Sequence, residues 1–442
     1  MLPAGFRELL TESFDAKTAS ELMAHLEEEP SVSVRTNTSK ITVQSLRAAF
    51  GDLAGDAVAW CDNAFYLRER PSFTFDPLFH SGAYYVQEAS SMYVGKLLRG
   101  IMPPGGDGLR VLDLCAAPGG KTTDILSLLG PGSLLVANEV MRARATVLAE
   151  NVAKWGRVNT VVTNDDPDDF KPLEQWFDII VVDAPCSGEG MFRKDEEAVA
   201  GWSEDNVKLC AARQRRILSD IWSSLADGGY MIYSTCTFNH YEDEDNAIWI
   251  ADTLGAEVLE QRHFLPGRDR GEGFYCVLLR KSGTASPHPA GQHSRPHQVS
   301  RGAKAVPAPA CPYVREGYRL LMKNDVLKAY PAGLCDEMTA LESVLRVIRS
   351  GVAVAAIKGH DMIPEADLAL SEALSDTAFP KVELNREDAL RFLAKEPLLF
   401  PESPKGFLLL MYSGLPLGFV KNLGNRSNNL HPVARRIRKS IN

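Results

Sequence analysis

Between Leu109 and Lys281 the chain alternates apolar strand-like runs with amphipathic helix-like ones, and this alternation restricts the fold more than any other feature. "LRVLDLCAA", "SLLVANEV", "NTVVTND", "FDIIVVDAP" and "YMIYSTC" read as buried strands. "GGKTTDILSLLG", "RARATVLAENVAKWG", "VKLCAARQRRILSDIWSSLADGG" and "EDEDNAIWIADTLG" carry helical spacing, and "EGFYCVLLRK" closes the series with extended residues. Strands that alternate with helices fold as right-handed crossovers onto a mostly parallel sheet. The expected class is α/β, with a Rossmann-like core over 101–281.

A chain of 442 residues is too long for one ordinary core. Residues 1–100 mix helical pieces ("FRELLTESF", "ASELMAHLEEE") with extended ones ("SVSVRTN"), which suggests a small α+β domain; the turn cluster "MPPGGDG" bounds it. Residues 282–312 are Pro, Gly, Ser, Ala and His without periodicity, and read as a flexible linker. Its histidines at 288, 293 and 297 have no ordered frame, so no metal is expected there. Residues 313–442 form a C-terminal α+β region with a helix over "CDEMTALESVLRVIRSG" and strands over "VAVAAIKG", "GFLLLMYSG" and "LPLGFVKNLG". Nothing approaches 18 consecutive apolar residues, and the start lacks a basic segment followed by an apolar one, so a cytoplasmic protein without membrane contact is expected. None of the eight cysteines sits at zinc-ribbon spacing. The net charge of −9 disfavours nucleic acid, yet after Glu402 come only cations: Lys405, Lys421, Arg426, Arg435, Arg436, Arg438 and Lys439. Such a tail suits a localised phosphate-binding face or a solvated terminal helix.

"DLCAAPGGKTT", Asp113 to Thr123, reads as strand, tight turn and helix start. Glycines at such a turn let backbone approach a phosphate or an adenosyl cofactor. Gly120-Lys121-Thr122 is similar to the end of a nucleotide-triphosphate loop, but the first glycine of that motif falls on Cys115. The adenosyl option has independent support. Glu139 ends the next strand, 20 residues past Gly119, where ribose hydroxyls are usually met; Asp165 or Asp166 ends the third strand and Asp183 the fourth.

Two of those strands end in thiols, Cys186 in "DAPCSG" and Cys236 in "STCT". Methylation of cytosine C5 gives two thiols a use. C5 is a poor nucleophile until a thiolate adds to C6, and the adduct must later be released. "DLCAAPGGKTT", "NEVMRARATVLAENVAKWG", "DAPCSGEGMFRKD", "ARQRRIL" and "YSTCTF" resemble the Sun/NSUN family of RNA cytosine-C5 methyltransferases, over about Tyr84 to Lys281. "SVRTN" resembles the family's N-terminal R-x-N-T element, here assigned to RNA grip. "GLPLGFVKNLGNRSNNLHPVARRIR" resembles the PUA-like tail of RsmF-type bacterial 16S ribosomal RNA methyltransferases. The resemblance implies a class I methyltransferase core with a PUA-like C-terminal region. It also implies Cys236 as nucleophile, Cys186 as the group that assists release, and Asp183 and Lys121 at the target base. S-adenosylmethionine would then lie against Cys115, Ala116, Ala117, Pro118, Gly119, Gly120 and Lys121, with Glu139, Arg144, Asp166, Asp183 and Pro185.

The implied partner is 16S ribosomal RNA, whose target cytosine must be unstacked to reach such a pocket, and the chain is expected to act as a monomer. Arg193, Lys194, Arg213, Arg215 and Arg216 are placed near the catalytic motifs and are candidates for its backbone. A transfer RNA methyltransferase is the alternative of the same chemistry. A non-catalytic RNA-binding assembly factor is the alternative of another class.

Overall fold

A computed structural model describes residues 2–283, 306–307, 311–359 and 361–439. Most of the expected 282–312 linker, with its histidines, lies outside them. No helix among the described residues is long and apolar enough to cross a membrane.

The N-terminal unit begins with a helical pair, α1 (Phe6–Ser13) and α2 (Ala16–His25). A four-stranded antiparallel sheet follows, ordered β2-β3-β1-β4, from β1 (Val32–Thr36), β2 (Ala54–Val58), β3 (Cys61–Leu67) and β4 (Tyr84–Val86). Helices α3 (Val43–Phe50) and α4 (Pro77–His80) flank it, and α5 (Tyr93–Ile101) leads into the core.

The core strands are β5 (Arg110–Asp113), β6 (Leu134–Asn138), β7 (Thr160–Thr163), β8 (Phe177–Asp183), β9 (Leu225–Thr235), β10 (Ala256–Phe264) and β11 (Phe274–Lys281). Between them run α6 (Gly120–Leu128), α7 (Arg142–Trp155), α8 (Glu196–Gly201), α9 (Glu204–Trp222) and α10 (Glu244–Leu254). β5 to β9 pair in parallel, while β11 and β10 close one edge antiparallel. The chain leaves β5 towards β6 and β7 on one side and returns to β8 and β9 on the other. That reversal opens a crevice beyond the carboxyl end of β5, where open α/β sheets bind ligands.

The C-terminal region supplies β12 (Val306–Pro307), β13 (Tyr318–Lys323), β14 (Val326–Pro331), α11 (Cys335–Val344), β15 (Val347–Ser350), β16 (Val352–Lys358), β17 (Asp361–Pro364), α12 (Ala366–Ala369), β18 (Lys381–Glu383), α13 (Arg386–Leu393), β19 (Gly406–Tyr412), β20 (Leu415–Asn422) and β21 (Ser427–Asn429). These form a five-stranded sheet, β12-β13-β14-β16-β17, and a four-stranded one, β18-β19-β20-β21.

Two expectations need correcting. The helix drawn over "CDEMTALESVLRVIRSG" stops at Val344, and "VIRS" is β15, which pairs antiparallel with β7 as the eighth strand of the core sheet. Met338, Leu341 and Leu345 share the hydrophobic core of β5, β8 and β9, and Arg110 and Glu337 pair across the join. Burying the edge of β7 thus joins this part of the C-terminal region to the core sheet. Arg35 of the "SVRTN" element, assigned above to RNA grip, is fully buried. Its Nε donates to Gln87 Oε1 at 2.8 Å, and Nη2 to the Gly120 carbonyl at 3.1 Å and Thr123 Oγ1 at 2.5 Å. Asp124 lies 3.6 Å from Nε, and the Trp155 ring centre 4.7 Å from the guanidinium. Arg35 thus ties the N-terminal sheet to the first turn of α6.

Arg35→Ala should lower stability by about 3–5 kcal/mol, because it strands Asp124 as an unpaired buried charge. Denaturant unfolding checks this, and a wild-type midpoint would contradict it. Asp113 ends β5 fully buried, accepting from Thr122 Oγ1 at 2.6 Å. Burial pushes its carboxyl from 3.8 up to about 7, against the opposing Thr122 bond and Lys121 charge. Its folded pKa exceeds the unfolded one, so the stability it lends is present below pH ~4 and lost as pH climbs to ~7. Asp113→Asn should accordingly gain on the wild type across that window, and a pH-independent difference would contradict the assignment.

Candidate active site at the ends of two neighbouring strands

Parallel neighbours β8 and β9 end level: Asp183 stands opposite Ser234 in the register. The loops beyond them stay in contact, with Ala184 N donating to the Ser234 carbonyl at 2.9 Å and Gly190 N to the Cys236 carbonyl at 2.8 Å. The sulfurs of Cys186 and Cys236 lie 3.1 Å apart, and Cys236 N is 3.4 Å from Cys186 Sγ. Both thiols are half-buried, whereas Cys61, Cys210, Cys276, Cys311 and Cys335 are buried. Gly190 is required by space: a Cβ there would lie 2.3 Å from the Gly273 carbonyl oxygen.

Two buried acids that the sequence did not single out fix these loops. Glu242 accepts from Ser187 N at 3.1 Å, Asn239 Nδ2 at 2.9 Å, Gln214 Nε2 at 2.6 Å and the Ser187 hydroxyl. Glu189 accepts from Trp202 Nε1 at 2.9 Å, Phe238 N at 2.8 Å and Asn239 Nδ2 at 3.0 Å. Each binds the segment after one cysteine to the segment after the other. Burial raises both carboxyls, Glu189 to about 7, against the donors that favour ionisation. From outside, Phe6, Leu10 and Leu22 of α1 and α2 pack with Phe192, Trp202 and Phe238 and shield this network. A faint signal exists in the sequence: an acid three residues after Cys186, another six after Cys236, each in a loop that also carries buried aromatics.

Lys121 Nζ meets Asp183 Oδ2 at 2.7 Å, and Ser234 Oγ donates to Asp183 Oδ1 at 2.8 Å. Burial pulls the Lys121 ammonium down, but Asp183, with Asp113 and Cys236, raises it further, so it stays charged. Cys186 is held well above the usual thiol range, by its bond to Cys236 first and by burial second. It therefore keeps its proton at neutral pH.

A cavity of about 420 Å³ extends from the thiols. Of the sequence-selected residues, Cys115, Ala117, Glu139, Arg144, Asp166, Asp183, Pro185, Cys186 and Cys236 line it. Asp165 does not. It is buried and turned towards Arg346, whose N–H groups it accepts. Ala116, Pro118, Gly119, Gly120 and Lys121 shape the turn behind the wall: Gly119 takes φ +114°, and Asn151 Nδ2 holds the Pro118 carbonyl at 2.8 Å. Glu139 accepts from Met141 N at 2.9 Å and pairs with Arg144 at 3.3 Å, while Arg144 also donates to the Ala117 carbonyl at 2.9 Å.

The cations divide. Arg213 and Arg216 stand at the cavity, Arg216 paired with Asp166 at 3.1 Å. Arg193 is a structural residue instead: half-buried, it pairs with Glu272 at 2.7 Å and donates to the Gly271 carbonyl, which corrects its assignment to RNA. Lys194 pairs with Glu272 at 3.3 Å, and Arg215 binds Asn246 at 2.7 Å. The basic tail is no helix among the described residues, apart from one turn at Val433–Arg435. Arg435 pairs with Asp367 and Lys421 with Asp361, while Lys405, Arg426, Arg436, Arg438 and Lys439 are exposed.

Residues 102–280 match the family described as 16S rRNA methyltransferase RsmB/F. Residues 2–89 match the N-terminal domain of 16S rRNA methyltransferase RsmF, and 379–437 the methyltransferase RsmF PUA domain. The chain is 30% identical to ribosomal RNA small subunit methyltransferase F of Cronobacter sakazakii, over 98% of this chain and 95% of that one. It is 31% identical to the protein of the same name from Salmonella paratyphi A, over 90% and 89%. Among solved structures, a methyltransferase homolog from Pyrococcus horikoshii aligns with a TM-score of 0.54 at 26% identity, over 63% of this chain and all (100%) of that one. NSun6 from Pyrococcus horikoshii, solved with SFG, shares the fold with a TM-score of 0.56 at 20% identity, over 64% and 99%. Full-length similarity, three matched domains in order and the shared core together show that this chain belongs to the RsmF family of S-adenosylmethionine-dependent 16S rRNA methyltransferases.

Proposed function

We propose that the protein methylates C5 of a cytosine in 16S ribosomal RNA through a covalent bond between Cys236 and ring carbon C6. The observation that carries this reading is the pair of half-buried sulfurs 3.1 Å apart, with the Lys121–Asp183 pair beside a cavity of cofactor size.

The cavity fits an adenosyl group. Apolar wall comes from Leu114, Val140, Pro167 and Ile217, and carboxylates from Glu139, Asp166 and Asp183. Glu139 would take the ribose hydroxyls and Asp166 the adenine edge, with Arg144 and the 115–121 turn holding the remainder. When bound, S-adenosylmethionine supplies an electrophilic methyl group for C5. The other steps belong to the chain. Cys236 gives its proton to solvent and adds to C6 as the thiolate, and the C5–C6 π electron pair becomes available at C5. Asp183 orients the base, and the fixed Lys121 charge offsets negative charge on the ring, a preorganised contribution that needs no rearrangement. After C5 is substituted its proton passes to water, the C6–sulfur bond breaks, and the electron pair returns to Cys236. Cys186, still protonated, donates to that sulfur as it leaves. In this reading the protein acts as a monomer in the cytoplasm.

Cys236→Ala should abolish methyl transfer, and Cys186→Ala should accumulate an RNA–protein adduct on a denaturing gel. RNA carrying 5-fluorocytidine should trap the wild type in the same way, since fluorine cannot leave C5 as a cation. Normal turnover by Cys186→Ala, or an adduct that survives in Cys236→Ala, would overturn these roles.

A further inference from the structure

A second cavity, of about 460 Å³, opens between the N-terminal unit, the last turns of α7 and the basic tail. Its wall carries Arg70, Lys154 and Lys439 and no acidic residue, in a protein of net charge −9. None of the three forms an ion pair among the described residues. Two lie over rings instead: the Arg70 guanidinium is 5.4 Å from the centre of Phe73, and Lys154 Nζ is 4.6 Å from that of Phe79. Tyr85, half-buried, adds a third ring to the wall.

Cations over rings with no carboxylate in the wall leave a positive potential in a concave, ring-lined space. Inorganic phosphate would use the charges and leave the rings idle. An apolar ligand would do the reverse. A nucleotide uses both, its phosphate on the cations and its base on a ring. Lys154 supports this. Burial first, and Arg435 second, lower its ammonium to about 8 even though Glu150 raises it, and a phosphate would favour its charged form further. Asn151 lines the cavity and also holds the Pro118 carbonyl at 2.8 Å, which places the cavity directly behind the cofactor turn.

We propose that this cavity binds a nucleotide of single-stranded RNA, with Arg70, Lys154 and Lys439 on its phosphate and Phe73 or Tyr85 against its base. Because RNA is the substrate proposed above, this inference rests on that reading, and the nucleotide belongs to the same RNA as the target cytosine.

Arg70 and Lys439 are exposed and unpaired, so R70E/K439E should fold with a wild-type thermal midpoint. Anisotropy of a labelled short oligoribonucleotide on the full chain should show Kd raised about tenfold, with the log–log salt slope reduced by about 0.7 for each phosphate no longer neutralised. Lys154→Gln should act in the same direction. Phe73→Leu should weaken binding with the slope intact. In methyl transfer to 16S RNA, KM should rise while kcat at saturating RNA holds. Wild-type Kd and slope in all three variants would overturn the site. So would AMP binding that the variants abolish while oligoribonucleotide affinity is unchanged, since the cavity would then serve free nucleotides. If the wild type methylates no RNA but oligoribonucleotide binding follows the variants, the site stands and the catalytic reading fails.

Discussion

Two parallel strands that end level can bring two thiols together only if the loops beyond them are held, and here buried carboxylates hold them. Glu189 and Glu242 each collect donors from both loops. Buried acceptors of this kind are costly to leave unsatisfied, so neither loop can move without stranding the other's donors. The 3.1 Å sulfur separation is therefore a property of the scaffold. The helical pair α1–α2 is part of the same device, because it keeps water from the network that sets the geometry.

The same logic runs through the remaining parts of the chain. Arg35 reaches from the N-terminal sheet to the first turn of α6, the turn behind the cofactor-sized cavity. β15 covers the edge of β7, and Arg346 then takes Asp165 out of the crevice and leaves Asp166 facing it. Accessory segments in this protein complete the core before they offer any surface to RNA. Cations with no ion pair among the described residues stand at both cavities, Arg213 at the one beside the thiols and Arg70, Lys154 and Lys439 at the one behind the turn.

Much of this was legible in the sequence where patterns are local. The alternation over 109–281 gave the core strands, and acids at successive strand ends marked the crevice. β10 was missed because "AEVLEQRHF" lies mostly exposed and carries no apolar face. β15 was missed because "VIRS" continues the apolar spacing of α11, and only pairing with a distant edge makes it a strand. Arg35 was assigned to RNA grip through the family resemblance and Arg193 through its place near the catalytic motifs; their structural roles depend on partners far along the chain, Thr123 for one and Glu272 for the other. Glu189 and Glu242 escaped for the same reason.

The central claim is most directly tested by transfer of labelled methyl from S-adenosylmethionine to naked 16S rRNA, assembled small subunits and bulk transfer RNA in parallel, followed by digestion and identification of the labelled nucleoside. The account predicts 5-methylcytidine in the 16S samples alone. Label on any other nucleoside, or in transfer RNA and not in 16S, would contradict it.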